Sequence, residues 1–420
     1  MIKYKDAAKV RKKIAQYGCY FALFLKKREK MKEFVLNGAP VKMWAKLIDH
    51  KAWLELNNLC LLPFLFHHVA LMPDAHGGVG MPIGGVLAAR KVVVPNAVGV
   101  DIGCGMCAVK TDIPVESIPA EVLRKQIMRG IRKRIPLGME HHKKAQDESL
   151  MPTGFDVDSM TVVKRQYAAA LKQIGTLGGG NHFIELQRDE EGFLWVMLHS
   201  GSRNIGKQVC DYYATLAKNL NEKWFSSVNP EMQLAFLPVG TAEFKQYWDE
   251  MQYCVQFALA NRKLMMEWIL EVIAEAFPEA QFEPMINIAH NYAAWENHFG
   301  ENVIVHRKGA VRAAEGVVGI IPGSQGTRSY IVEGLGNPDS FLSSSHGAGR
   351  CMSRTEAVNT LSLEEEIAKM DALNIVHGLR YQNDLDEAAS AYKDIDEVMA
   401  LQSDLVRIKV ALSPVAVIKG

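Results

Sequence analysis

Residues 244–277, "FKQYWDEMQYCVQFALANRKLMMEWILEVIAEAF", run on to Pro278 without a glycine or proline and carry apolar residues at heptad-like spacing. This pattern predicts a helical hairpin or one long helix, packed on a sheet that covers its apolar face. The flanks read oppositely. Before it come short β-branched runs between glycines and prolines ("GGVLAARKVVVPNAVGVDIGCGM" at 84–106, "CAVKTDI", "HFIELQ", "LWVMLHS"), and after it "ENVIVHRKGAVRAAEGVVGIIPG" and "SYIVEGL". Such runs are strand signals. The expected fold class is therefore α+β: a single large domain of mixed β-sheets with a helical insertion at about 205–280.

Helical periodicity also marks 120–134, 159–174 and a last helix near 385–404, ahead of a terminal strand "VRIKVALSPVAVIKG". Residues 1–38 read as a basic helical extension, and the main domain, 39–420, starts at "APVKMW". With 48% apolar residues in 420, the chain can bury one large core or two modest ones. The 48 Lys and Arg against 47 Asp and Glu leave a net charge of +1, so any nucleic acid must be held by a local patch. Seven scattered cysteines suit a reducing cytoplasm better than a disulfide framework. No apolar stretch reaches the roughly 18–20 residues of a membrane span.

The chemistry-bearing residues collect at glycine-rich or strand-end turns: "PDAHGG" (Asp74, His76), "DIGC" (Asp101, Cys104), "GGGNHF" (His182), "LHSGSR" (His199), "NIAHN" (His290) and "SSSHGAGR" (His346). Glycine lets a ligand approach the main chain at such turns. Singly, such a histidine is more often a hydrogen-bonded packing residue than a ligand, and a lone cysteine such as Cys104 more often an inert buried thiol. If Asp101, Cys104, His182, His199 and His290 converge, one tetrahedral zinc uses four of them. A thiolate bridging two ions of the Mn, Co or Zn kind uses all five and leaves positions open for a phosphate. The loops "IGTLGGGN", "IPGSQGTRS" and "HGAGR" offer backbone N–H groups for anions, although none is a P-loop or a dinucleotide fingerprint. Arg203 and Arg350, just after two of these turns, are candidates to grip phosphate, the alternative for each being a surface ion pair. Lys419, next to the C-terminus, reads by itself as a frayed end.

Taken together, "MPDAHGGVGMPIGGV", "VGVDIGCGM", "LGGGNHFIEL", "LHSGSRNIG", "AHNYA", "RKGAV", "IPGSQGTRSYIV" and "SSSHGAGRCMSR" resemble the RtcB-type RNA-splicing ligases, collinearly from about residue 39 to the end. The resemblance implies two Mn²⁺ per subunit in a dinuclear site. Cys104 bridges, with Asp101 and His182 on one ion and His199 and His290 on the other. It makes His346 the nucleophile that takes GMP from GTP as a phosphoramidate. Guanylate contacts would come from Asn181, His182, Phe183, Ile184, Glu185, His290, Asn291, Pro322, Gly323, Ser324, Gln325, Ser329, His346, Gly347, Ala348, Gly349 and Lys419, which gives the penultimate lysine a role. The implied activity joins RNA 3′-phosphate or 2′,3′-cyclic phosphate ends to 5′-hydroxyl ends, in RNA repair or tRNA splicing, through an RNA-ppG intermediate.

Three features depart from that pattern. The N-terminal extension lies outside it. Gln325 stands where methionine is more usual, which is expected to alter the guanine pocket slightly. His141 and His142 sit in the variable stretch 136–160 and read as a solvated loop. A dinuclear phosphoesterase without covalent guanylylation is the competing activity, and a non-catalytic RNA-binding role is a third.

Overall fold

The computed structural model describes residues 31–420. Asn37 and Gly38, at φ 52° and 82°, make a two-residue turn that folds Lys32–Leu36 back on Ala39–Met43. An Asn-Gly pair between alternating apolar residues is a strong hairpin signal. It corrects the reading of helix up to residue 38: 32–36 is a strand, and Phe34 and Leu36 pack against the core that holds Val41 and Met43. The rest of the expected extension, residues 1–30, lies outside the described residues.

Two sheets make the scaffold. The first runs Lys32–Leu36, Ala39–Met43, Leu65–Val79, Met81–Ala89, Glu301–Lys308, Asn291–His298. Its pairs are antiparallel except Ala39–Met43 on Leu65–Val79. The second runs Ile286–Ala289, Gly105–Pro114, Phe193–Ser200, Phe183–Arg188, Val406–Lys419, Ser329–Gly334, Val318–Ile321, antiparallel throughout. Chain segments on either side of 290 thus belong to different sheets, so His290 lies where the two meet.

Of the two forms left open for 244–277, the structure has the single helix, Ala242–Ala276. The Thr241 hydroxyl accepts from the Phe244 N–H at its start, and the helix stops two residues before Pro278. Its C-terminal half buries Met265, Met266, Ile269, Val272 and Ile273 against Cys107, Val109, Ile184, Val196 and Leu198 of the second sheet. Its N-terminal half packs with helices Thr161–Gln173 and Arg203–Lys223.

The helix also inserts polar groups beneath the site. Buried Asn261 accepts from Gly175 N at 2.7 Å and donates to Thr176 O, Ser200 Oγ and Gly201 O at 3.2 Å. Arg262, fully buried, donates to Gly103 O at 2.9 Å, Ser200 O at 2.8 Å and Asn287 Oδ1 at 2.8 Å. The turns that carry Cys104, His199 and His290 are thereby tied to one side chain.

The helix expected over 385–404 is shorter, Ile395–Leu401, capped by Asp394. The preceding residues make 3₁₀ turns, Gln382–Glu387 and Ala389–Ala391, because buried Leu385, Glu387 and Ala391 hold the chain against the body.

Candidate metal centre and nucleotide pocket

Sheet register brings the candidate ligands together. Phe183 pairs with His199, which pairs on its other side with Met106, so His182 and Cys104 stand at neighbouring strand starts. Gly105 pairs with both Ser200 and Ala289, which adds His290. The glycines around Cys104 permit this closeness. Gly103, at φ 76°, has the Val255 backbone 2.8 Å from where a Cβ would stand, and a Cβ on Gly105 would lie 1.9 Å from Ile288 O.

The side chains converge. Cys104 Sγ lies 3.1 Å from His199 Nε2 and 3.5 Å from His182 Nε2. His182 Nε2 is 3.2 Å from Asp101 Oδ2, and the Nε2 atoms of His199 and His290 are 3.3 Å apart. Ligand atoms of Cys104, His182 and His199 all fall within 4.8 Å of one another, and all three residues are buried.

The outer ring nitrogens fix the tautomers. Nδ1 of His182 is 3.0 Å from Leu177 O and Nδ1 of His199 is 3.1 Å from Asn181 O. A carbonyl can only accept, so Nδ1 carries the proton and the Nε2 lone pairs face inward. Burial holds His199 and His290 well below the usual imidazole range, hence neutral. Burial alone would raise Asp101, but its hydrogen bond to His182 and the imidazoles around it bring it down to about 2. Without a cation, burial and the Asp101 carboxylate keep the Cys104 thiol protonated. A divalent ion would invert that balance and relieve the lone-pair repulsion between His199 and His290. The donor set of imidazole, thiolate and carboxylate fits a borderline metal.

His346 stacks edge-on against His290, ring centroids 4.8 Å apart. Its Nδ1 lies 2.6 Å from Oδ2 of fully buried Asp74, and its backbone N–H donates to the same oxygen at 3.1 Å. Burial would raise the Asp74 carboxyl, yet the His346 ring holds it below its ordinary value. With Nδ1–H donated to Asp74, Nε2 of His346 carries the lone pair.

A cleft of about 770 Å³ opens beside it. Of the residues the resemblance names, Asn181, Phe183, Glu185, Pro322, Gly323, Ser324, Gln325, His346, Gly347, Ala348, Gly349 and Lys419 line it. Strand alternation explains one that does not: Phe183 and Glu185 face the cleft, so Ile184 points into the core under the long helix. His182 and His290 belong to the cluster. Asn291 acts from behind, donating to Asp101 O at 3.0 Å and accepting from Gly309 N at 2.6 Å. Ser329 Oγ accepts from Gly323 N at 3.2 Å. Gln325 also lines the cleft, and its amide donates to Glu387 O at 2.8 Å, another residue of the cleft wall.

Lys419 is not frayed. Paired with Phe183 at the end of a fourteen-residue strand, it places its ammonium 5.6 Å above the Phe183 ring. Burial lowers its pKa and raises that of neighbouring Glu185 to about 7.

The two arginines differ in what they have left to offer. Arg350 is committed to protein: it donates to Met352 O at 2.9 Å and Asp386 O at 2.7 Å and pairs with Glu387 at 2.9 Å. Arg203 donates to Thr176 Oγ1 at 3.0 Å and Gly138 O at 3.2 Å, beside Gly178. Sequence reasoning missed Arg354, which lines the cleft, lies against Gly180 and holds Glu387 at 2.7 Å with its side chain 53% exposed. The signal was available in "HGAGRCMSR", where Arg354 follows Arg350 by four residues. The sequence marks Asp74 and His76 only as turn residues; in the fold Asp74 faces His346, and His76 Nδ1 lies 2.9 Å from Asp74 O. His141 is exposed, and His142 meets Gly175 O at 3.3 Å and the edge of Trp268, away from the cluster.

All six cysteines of the described residues are free, and no helix among them is long and apolar enough to cross a membrane. The family model described as tRNA-splicing ligase RtcB matches residues 55–420. The RNA-splicing ligase RtcB of Escherichia coli K12 is 39% identical over 406 residues, 91% of this chain and 98% of that protein. The tRNA-splicing ligase RtcB of Nanoarchaeum equitans is 31% identical, covering 93% of this chain and 97% of its own, and that of Thermococcus kodakarensis is 29% identical over 86% and 90%. With conserved-length matches of this extent laid over a Cys/His cluster and an Asp-held histidine at the mouth of one cleft, the chain belongs to the RtcB family of RNA-splicing ligases.

Proposed function

We propose that this RNA ligase uses GTP and Mn²⁺ to join RNA 3′-phosphate or 2′,3′-cyclic phosphate ends to 5′-hydroxyl ends, in RNA repair or tRNA splicing, with His346 as the guanylylated residue. The observation that carries the reading is the Asp74–His346 contact at 2.6 Å, at the edge of a cleft that Lys419 also lines. Asp74 fixes the tautomer, so Nε2 of His346 is the nitrogen free to attack the α-phosphorus of GTP. The N–P bond forms as the bond to the bridging oxygen breaks, and pyrophosphate leaves. Asp74 stabilises the positive charge that develops on the ring.

An RNA 3′-phosphate oxygen then attacks the same phosphorus, breaks the P–N bond and returns a neutral imidazole. The 5′-hydroxyl finally attacks the 3′-phosphorus, loses its proton and releases GMP. Asp101 and His182 would hold one Mn²⁺ and His199 and His290 the other, with Cys104 between, and the ions would supply neutralisation of phosphate charge. Lys419 and the loop Pro322–Gln325 hold the guanylate, while Arg354 at the cleft wall and Arg203 behind the Gly178 loop are the candidate cations for phosphate.

Labelled GTP with Mn²⁺ and no RNA should label the wild type and not His346→Ala. An unlabelled wild type of full metal content would reject covalent guanylylation and favour a dinuclear phosphoesterase.

A further inference from the structure

The helical segment Val122–Arg134 buries Leu123, Ile127, Met128 and Ile131 under the long helix. Its other face exposes Arg124, Lys125, Arg129, Arg132 and Lys133 to solvent. Lys125 pairs with Glu121 at 2.7 Å, and Arg134 at the end of the segment pairs with Glu275. Among the described residues, Arg124, Arg129, Arg132 and Lys133 have no carboxylate within ion-pair distance. The guanidinium of Arg132 reaches across to a second segment, where a side chain on Gly378 would stand 3.6 Å from its Nη2. There burial and the like charge of Arg380 both lower its pKa. Neighbouring guanidinium groups without a carboxylate are relieved by an external anion. In a chain of net charge +1, this is a local concentration of charge and not a property of the whole surface.

The segment leads straight to the cleft. Leu177 N donates to Pro136 O at 3.0 Å, Gly138 N to Gly178 O at 3.1 Å and Arg203 Nη2 to Gly138 O at 3.2 Å. Arg203 lies against Gly178 and Arg354 against Gly180, the loop that carries Asn181 and His182. The basic segment is thus tied through Pro136 and Gly138 to the loop that Arg203 and Arg354 flank, and Arg354 lines the cleft with His346.

We propose that the exposed face of Val122–Arg134, with Arg380, is a docking track for the phosphate backbone of the RNA strand whose end reacts at His346. It engages nucleotides beyond the reacting end, without base readout. The proposal rests on the ligase reading and adds a surface to it. Contacts of this kind give affinity that weakens with salt in proportion to the phosphates neutralised.

The test uses the full chain carrying R129A, R132A and K133A together. Alanine is the best helix former, so the segment keeps its fold. GTP labelling without RNA and joining of a 3′-phosphorylated trinucleotide should stay at wild-type rates. For a long 3′-phosphorylated strand, KM should rise at least tenfold, and the slope of log affinity against log salt should become shallower by about two. Unchanged KM and salt slope for the long strand would overturn the track. Equal losses for trinucleotide and long strand would also overturn it, placing the effect in the cleft. Binding is measured apart from joining. A wild type that takes no label from GTP while the triple variant still loses long-strand affinity would therefore reject the ligase chemistry and leave the surface standing.

Discussion

His346 Nδ1 and Asp74 Oδ2 stand 2.6 Å apart although 272 residues separate them in sequence, and the same carboxylate oxygen also accepts the His346 backbone N–H. One buried charge thus sets the ring's tautomer and the conformation of its turn. Asp74→Ala is expected to slow guanylylation by about 10²-fold or more, the usual scale for losing a positioned proton-holding group. Metal content should be retained, because Asp74 is not among the converging ligands. Single-turnover labelling together with metal analysis checks this, and wild-type labelling in the variant would remove Asp74 from the mechanism.

Cys104 is the residue shared by the contacts to His182 and His199. Cys104→Ser replaces a soft thiolate with a hydroxyl that does not ionise at neutral pH, so metal occupancy and GTP labelling should fall together. Metal analysis on protein purified in excess Mn²⁺ measures the first directly. A variant with full metal and normal labelling would refute the bridge.

Arg262 ties Gly103 O, Ser200 O and Asn287 Oδ1 from the interior of the long helix. Arg262→Met would leave two buried carbonyls and the half-buried Asn287 amide oxygen without this donor, a loss of about 3 kcal/mol. Arg262→Lys, with one ammonium, can satisfy only some of them and should fall between. Thermal unfolding gives the stability. The Mn²⁺ concentration needed for half-maximal labelling should rise in Arg262→Lys, because the turns bearing Cys104 and His199 lose their common tie. If the lysine variant unfolds earlier but keeps its Mn²⁺ requirement, Arg262 serves only the core.

Much of the site is legible in sequence because its parts are local. The glycine turns around Asp101, Cys104, His182 and His346 announce close backbone approach, and the uninterrupted run before Pro278 announces a long helix. What sequence hides is set by register and by distant partners. Period-two alternation sends Ile184 to the core while its neighbours face the cleft, a fact that depends on which face of the second sheet the helix covers. Arg350 and Arg354 read alike as residues, and both pair with Glu387 at the cleft; only the fold shows that the first is also spent on Met352 O and Asp386 O while the second stays half exposed. The helical reading of 32–36 failed for a local reason: the Asn37–Gly38 turn outweighs the basic character of what precedes it.

Gln325 lines the cleft but spends its amide on the cleft wall. Its amide supports Glu387 O, so Gln325→Met should cost about 1 kcal/mol of stability through one lost hydrogen bond and change KM for GTP by only a few-fold. A larger rise in KM would give the side chain a direct part in holding GTP.

Acid stability should depend on a network remote from the cleft. Glu296 pairs with Arg307, donating groups of which also reach Ser343 and Phe341 O, and accepts from His298 Nε2 at 2.9 Å. Burial would raise its pKa, but His298 and Arg307 bring it down to about 2. Because the folded value lies below the unfolded one, the native state favours the deprotonated carboxylate. The contribution is fully present above the ordinary glutamate pKa and is lost as pH falls through about 2. The shift corresponds to about 3 kcal/mol. Glu296→Gln should therefore be less stable at neutral pH and show a flatter decline between pH 4.5 and 2 than the wild type. Urea unfolding at a series of pH values measures both. Parallel curves for the two proteins across that window would show that Glu296 does not titrate with folding.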